Sequence, residues 1–250
     1  MELAELTSFL DRELRIAEIP DYPGAHNGLQ LEAPGPVRRL VAAVDASLPV
    51  IERSAAGGAD LLLVHHGMFW QGAQPVTGAF FRKLKTAMDA GMAVYSAHIP
   101  LDVHETWGNN AQLASELGLD DCEPFFEWKG IRLGLAANLD EERDAFVRRV
   151  ASAVGGPVHL CPGGPERVGR VGVITGGAGS EVAAAAAEGI DTFVTGEGPH
   201  WSFPLAEELG INVLYAGHYA TETFGVRALA ADLAERFGLE WSFVDHPTGL

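Results

Sequence analysis

Apolar and polar positions along the chain alternate between two rhythms. Leu3, Leu6, Phe9, Leu10, Leu14 and Ala17 recur at helical spacing, which predicts an amphipathic helix over residues 2–18 that Pro20 ends. A turn-rich stretch, DYPGAHNGLQLE, follows. Beyond it, short apolar runs of strand type fall at 40–44, 60–64, 92–97, 131–136, 168–174, 191–194, 211–216 and 241–244. Helical segments fall at 49–56, 80–90, 110–117, 140–154, 180–188 and 221–237, the last with Val226, Leu229, Leu233 and Phe237 on one stripe. Such alternation implies an α/β fold whose strands are covered by helices on both faces.

The two halves of the chain resemble each other. Residues 55–70, AAGGADLLLVHHGMFW, match residues 185–201, with Gly58, Asp60, Gly67 and Trp70 on Gly189, Asp191, Gly198 and Trp201 at an offset of 131. Residues 92–102, MAVYSAHIPLD, match residues 212–222, with Tyr95, His98 and Asp102 on Tyr215, His218 and Glu222 at an offset of 120. Two matches in the same order, each ending in polar residues after an apolar strand, predict an internal duplication. The expected architecture is two similar α/β lobes, residues 1–125 with the N-terminal helix and residues 126–250, forming one compact unit with functional residues in the cleft between them.

Composition narrows the function. Acidic residues outnumber basic ones 34 to 17, for a net charge of −17, and the nearest approach to a basic cluster is Arg82, Lys83 and Lys85. Phosphate backbones and anionic membranes require a basic face, so general nucleic-acid and membrane-surface binding are disfavoured, while a local pocket for a small phosphorylated ligand is not. The start, MELAELTSFLDREL, has no apolar leader core, and no run approaches the roughly 20 apolar residues of a membrane span, so a cytoplasmic location is expected. Cys122 and Cys161 are too few for a disulfide framework or a Cys-rich zinc site. Any metal must be held by histidines and carboxylates.

Such residues gather at strand ends. His65 and His66 follow LLLV directly, where a buried strand runs out and open α/β sheets carry function. Neighbouring strand residues point to opposite faces, so the pair serves one centre only if the strand breaks, which Gly67 permits, or if each serves a different ion. His98 and Asp102 repeat the placement. His218 and Glu222 stand at i, i+4 spacing where Gly217 leads a strand into the last helix, which puts both on one helical face. Imidazole mixed with carboxylate, and no thiolate, suits iron, zinc, manganese or nickel. Even three of these histidines with the two carboxylates exceed the needs of one tetrahedral ion. A dinuclear centre, with ions about 3.5–4 Å apart, accounts for the surplus and implies hydrolysis.

Other signals are weaker. GGAGS at 176–180 follows a strand and opens a helix, so it is either a phosphate contact or a strand-to-helix turn, and it has neither Rossmann spacing nor a P-loop lysine. Asn27 and Gln30 are substrate contacts or members of an Asn-Gly turn. Trp70 and Trp201 read as core or interface aromatics rather than base-stacking platforms. His26, His104, His159 and His246 lack repeated partners and read as ordinary polar residues.

NGLQLE, LLLVHHGMFW, YSAHIPLDVH, TGEGPHW and GHYATETFGVRAL together resemble the GTP cyclohydrolase 1 type 2 homolog family, also described as Nif-three-like or YbgI-like dinuclear metal-centre proteins. The resemblance spans nearly the whole chain and matches the short form, without the domain that longer members insert between the halves. It implies two divalent ions held by His65, His66, Asp102, His218 and Glu222, with His98 poised over them as a catalytic residue. It further implies a toroidal homohexamer with the centres lining its inside. TGEGPHW differs from many members after the glutamate, which bears on Glu197 and His200. Two functions follow: a metal-dependent hydrolase of a nucleotide-like or small phosphorylated substrate, with purine ring opening suggested by the family name; or a non-enzymatic ring that stores, delivers or senses metal or acts as a scaffold.

Overall fold

The computed structural model describes residues 1–70 and 74–249 and contains a mixed α/β architecture with two sheets. In chain order the elements are α1 (Leu3–Glu13), β1 (Gly28–Leu31), β2 (Arg39–Asp45), α2 (Leu48–Ala56), β3 (Leu61–His66), α3 (Gly78–Asp89), β4 (Ala93–Ser96), α4 (Ile99–Asp102) and α5 (Asn109–Glu116). There follow β5 (Glu123–Trp128), β6 (Ile131–Glu142), α6 (Arg143–Val154), β7 (His159–Pro162), β8 (Arg167–Val173), a 3-10 turn (Ala178–Glu181), α7 (Val182–Ala187) and β9 (Thr192–Thr195). The chain closes with α8 (Ser202–Leu209), β10 (Asn212–Tyr215), α9 (His218–Thr221), α10 (Thr223–Phe237) and β11 (Glu240–Phe243).

Two compact units result, one of Met1–His104 with Gly225–His246 and the other of Glu105–Phe224 with Pro247–Leu250. This division follows packing, because β11 returns to pair with β2, whereas the boundary expected from the sequence, 125/126, falls inside β5. In the first unit the sheet runs β1-β4-β3-β2-β11, parallel except for β1. Alternate residues of β2, β3 and β4 (Val41, Ala43, Leu62, Val64 and Val94) pack with Val50 and Ile51 of α2 and Ala87 of α3. Leu61, Leu63 and Tyr95, pointing the other way, are equally buried, and the Tyr95 hydroxyl donates to Asp11 of α1 at 2.7 Å. The helices α1 and α10 meet through Phe9 and Phe237, edge to face at 5.1 Å.

In the second unit the order is β5-β6-β8-β9-β10-β7, with a parallel β8-β9-β10 centre and antiparallel flanks. One face packs Val171, Val173, Val194 and Leu214 with Leu113 of α5 and Phe146 and Val150 of α6. The other packs Phe193 and Val213 with Val182 and Ala185 of α7 and Ala206 of α8.

The two parallel triplets carry the same clasp. Asp60 Oδ2 accepts the backbone N–H groups of Arg38 and Arg39, and Asp191 Oδ2 those of Gly169 and Arg170, which is the 131-residue offset again. The next strand departs from the sequence match. Leu61 pairs with Ala93 and Thr192 with Asn212, so β4 and β10 correspond at an offset of 119 rather than 120. In that register His98 corresponds to Gly217, each capping its short helix, and His218 lies one residue further, inside α9. One residue along a helix is a rotation of about 100°, so the two imidazoles leave their strands in different directions.

Candidate metal centre

In the first unit β3 carries the histidine pair to the end of the sheet. The register sets Asp45, the last residue of β2, beside His66, and the His66 Nδ1–H donates to Asp45 Oδ1 at 2.8 Å. His65 is fully buried, and its Nδ1–H donates to the Ala97 carbonyl at 2.9 Å, while Nε2 lies 3.5 Å from Asp102 Oδ1. The chain leaves β4 through Ala97, caps α4 with His98 and ends that single turn at Asp102, itself buried. His98 Nδ1–H donates to Asp21, 2.8 Å from Oδ1 and 3.1 Å from Oδ2. Although His65 and His66 belong to opposite faces of the strand, their rings stand 4.7 Å apart, and that of His98 is 4.9 Å from His65 and 5.5 Å from His66. Ligand nitrogens of all three lie within 4.8 Å of one another, a group able to hold a metal ion.

The acceptors here are a carbonyl and two carboxylates, none of which can donate, so Nδ1 carries the hydrogen in each ring and Nε2 is the nitrogen left for coordination. Metal-bound histidines are oriented in the same way, by an outer carbonyl or carboxylate on the second ring nitrogen. Trp70 walls the group, 4.9 Å from the His98 ring and 5.7 Å from that of His66, with its indole N–H on the Gly67 carbonyl. The turn after His66 rests on the 21–30 segment. Gln30 Oε1 accepts the Met68 N–H at 2.7 Å and its amide lies where a Cβ on Gly67 would be. Likewise, a Cβ on Gly24 would strike the Trp70 carbonyl. Asn27 and Gln30 thus serve the site's framework.

In the second unit Gly217, at φ +91°, turns β10 into α9, which begins at His218 and is capped by Glu222. His218 Nε2 is 3.2 Å from Glu222 Oε2 and Nδ1 is 2.8 Å from Glu197 Oε1, so this ring lies between two carboxylates. Burial alone would lower the His218 pKa. The bonds and charge of Glu222, then of Glu197, outweigh it and raise the value from 6.5 to about 9. Glu222 is buried, Glu197 44% exposed. Gly176 forms the floor: it adopts φ +71°, and a Cβ there would run into Glu222 Oε1. The amides of the GGAGS segment turn inward, Gly176 donating to Thr221 Oγ1 (3.0 Å), Ala178 to Thr195 Oγ1 (3.2 Å) and Gly179 to the Glu197 carbonyl (3.0 Å). The segment is a strand-to-helix turn that shapes the His218 site.

The fold thus brings His65, His66, His98 and Asp102 together in one unit and His218 with Glu222 in the other. Sequence reasoning missed the outer partners Asp21 and Asp45. Asp45 had a signal, as the polar end of an apolar strand parallel to LLLVHH; Asp21, 77 residues from His98, had none. The repeated tryptophans differ, Trp70 packing on the histidines and Trp201 standing 51% exposed.

Comparison with known proteins gives the family. The sequence matches the Duf34/NIF3 (NGG1p interacting factor 3) family over residues 1–248. It is 44% identical to a Deinococcus radiodurans protein described as a GTP cyclohydrolase 1 type 2 homolog, covering 98% of this chain and 94% of that one. Among solved structures, the protein ybgI, of unknown function, superposes with a TM-score of 0.93 at 36% identity over 100% of both chains. A Thermus thermophilus protein does so with 0.91 at 42% identity, again over 100% of both. With its whole length matched and its histidine and carboxylate residues gathered at the strand ends, the chain belongs to the Duf34/NIF3 family.

Proposed function

We propose that this protein is a metal-dependent hydrolase of a small molecule, holding two divalent ions through His65, His66, Asp102, His218 and Glu222, with His98 as the proton-transfer residue. The observation that carries the reading is the orientation of the imidazoles: His65, His66 and His218 each direct Nδ1–H at a carbonyl or carboxylate, the arrangement of metal-bound histidines. Nitrogen and carboxylate donors without thiolate suit iron, zinc, manganese or nickel. Bound ions would supply Lewis acidity at the attacked group. The chain's own part is to orient the ligands, to shield one side with Trp70 and to hold or pass a proton at His98 Nε2.

A small-molecule substrate is supported by a cavity of about 680 Å³ in the first unit, lined by Gly24, His26, Gln30, Phe69 and Phe80 among others. That volume suits an organic ligand of nucleoside size. Phe69 lines the cavity and the next residue, Trp70, packs on the histidines, so one turn borders both. Nucleotide-like substrates head the candidates, and opening of a purine ring rests on the description shared by relatives such as the Deinococcus radiodurans protein. We place the protein in the cytoplasm as a homohexamer, each chain of which consists of two copies of one α/β unit. No helix among the described residues is long and apolar enough to cross a membrane, and Phe81 and Met88 expose apolar surface along α3 for contact between copies.

The test is a screen of the metal-analysed protein against nucleotides and phosphoesters, with Asp102→Ala as control. Turnover that requires metal and disappears in the control supports the hydrolase. Two tightly held ions with no turnover would point to metal storage or delivery, and absence of bound metal after reconstitution would remove both readings.

A further inference from the structure

His98 lies outside the proposed ligand set, yet both its imidazole and its backbone are held by side chains of another loop. Its Nδ1 lies within hydrogen-bonding distance of both oxygens of Asp21, whose side chain is only 6% exposed. Asp21 is itself fixed by three further donors: the Tyr22 N–H at 2.6 Å, the Asn27 amide at 2.8 Å and the Ile99 N–H at 3.1 Å. Asn27 closes the ring of contacts, its Oδ1 accepting the His98 backbone N–H at 2.7 Å. Backbone and imidazole of His98 are therefore both clamped from the 21–27 loop, which holds none of the proposed ligands.

We infer that Asp21, supported by Asn27, is a positioning residue for His98: it fixes the Nδ1–H tautomer and the ring plane, so that Nε2 always faces the site with its lone pair. A buried carboxylate accepts and does not donate, so while it is ionised the opposite tautomer would set two electron-rich atoms against each other in a site with little water. A histidine capping a short turn without this clamp would sample both tautomers and several ring orientations. Packing alone gives no reason for a carboxylate with four donors here, since an Asn27 contact to the backbone would suffice to hold the turn. The purpose of Nε2 rests on the metal-centre reading; the clamp does not.

The experiment is long-range ¹H–¹⁵N spectroscopy of histidine-labelled, zinc-reconstituted full-length protein, with zinc content measured on the same samples. Wild type is expected to show a single Nδ1–H tautomer for His98, assigned by its disappearance in His98→Gln. Asp21→Asn, with one oxygen in place of two for the same four donors, is expected to lose the single tautomer while zinc content and the His65 and His66 signals stay unchanged. Asn27→Ala is expected to broaden the His98 ring signals with the tautomer retained. An Nε2–H ring in wild type, which requires no variant to fold, overturns the inference. So does a His98 tautomer unchanged in Asp21→Asn. A tautomer that follows Asp21 in protein that binds no zinc would uphold the clamp and refute the metal centre.

Discussion

The two units offer histidine to a metal in opposite electrostatic settings. In the first, three imidazoles converge, each directing Nδ1–H at a carbonyl or carboxylate, with the Nε2 side of the ring turned to the others. In the second, a single imidazole lies between Glu197 and Glu222, both nitrogens against carboxylates, and without metal it is held as the imidazolium. A metal ion entering the second setting would have to displace the proton that Glu222 and Glu197 hold on His218. On the proposed reading, the difference teaches that His218 would make metal uptake pH-dependent.

The comparison can be broken at its strongest point. His65→Ala removes the most buried imidazole, and metal content measured by elemental analysis is expected to fall from two ions per chain to one or none; retention of both ions would show that the first unit's cluster is not a metal site. Next in size, Asp45→Ala should weaken metal binding by roughly 10–100-fold, the usual cost of removing an outer partner. Glu197→Ala, whose carboxylate is 44% exposed, should cost less in the same titration. Equal effects would show that the difference in exposure between the two partners, 31% for Asp45 and 44% for Glu197, carries no weight.

Gly176→Ala tests the floor beneath Glu222. A new Cβ must compete with Glu222 Oε1 at a residue held at φ +71°, so a loss of about 1–3 kcal/mol in denaturant unfolding is expected, together with lowered metal content. An unchanged midpoint would mean the turn yields easily. The smallest effect is the pH dependence of the metal-free protein. The folded His218 pKa, about 9, is raised above 6.5, so its stabilisation is complete below about pH 6.5 and is lost as pH rises through 9. Thermal midpoints should therefore decline across that window, and His218→Gln should flatten the decline. Metal affinity should move the other way, rising up to about tenfold per pH unit until His218 is neutral.

Much of the framework was legible because burial writes itself into apolar runs. LLLV before His65 and the runs leading to Thr195 and Tyr215 mark the buried parallel strands, and the HH and HxxxE spacings mark what they deliver. Three of the four edge strands were not legible: β1 hides in GLQL beside an Asn-Gly turn, β5 contains Pro124, and β7 ends at Pro162, whereas the edge strand β11 showed as the run at 241–244. The first helix ends at Glu13, well before Pro20, because Arg15 enters the left-handed region at φ 52°. Asp21 lay beyond reach, since loop placement alone brings it to His98 across 77 residues, while Asp45 and Glu197 stood at marked strand ends but gained their partners only through register. The one-residue slip between the matched strands had the same cause: identical letters at Tyr95 and Tyr215 align the sequences, while hydrogen bonding aligns Ala93 with Asn212.

The seat of Gly67 on Gln30 has a consequence for how this sequence can vary. The Gln30 amide occupies the place of a missing Cβ while it holds the Met68 N–H, so the two positions form one steric lock formed by residues 37 apart. In a library randomised at both, alanine at 67 should survive only beside a shorter residue at 30, and glutamine at 30 only beside glycine at 67. The turn that follows the histidine pair thus couples two distant positions in one direction: a side chain at 67 displaces the Gln30 amide, whereas shortening residue 30 leaves Gly67 unstrained.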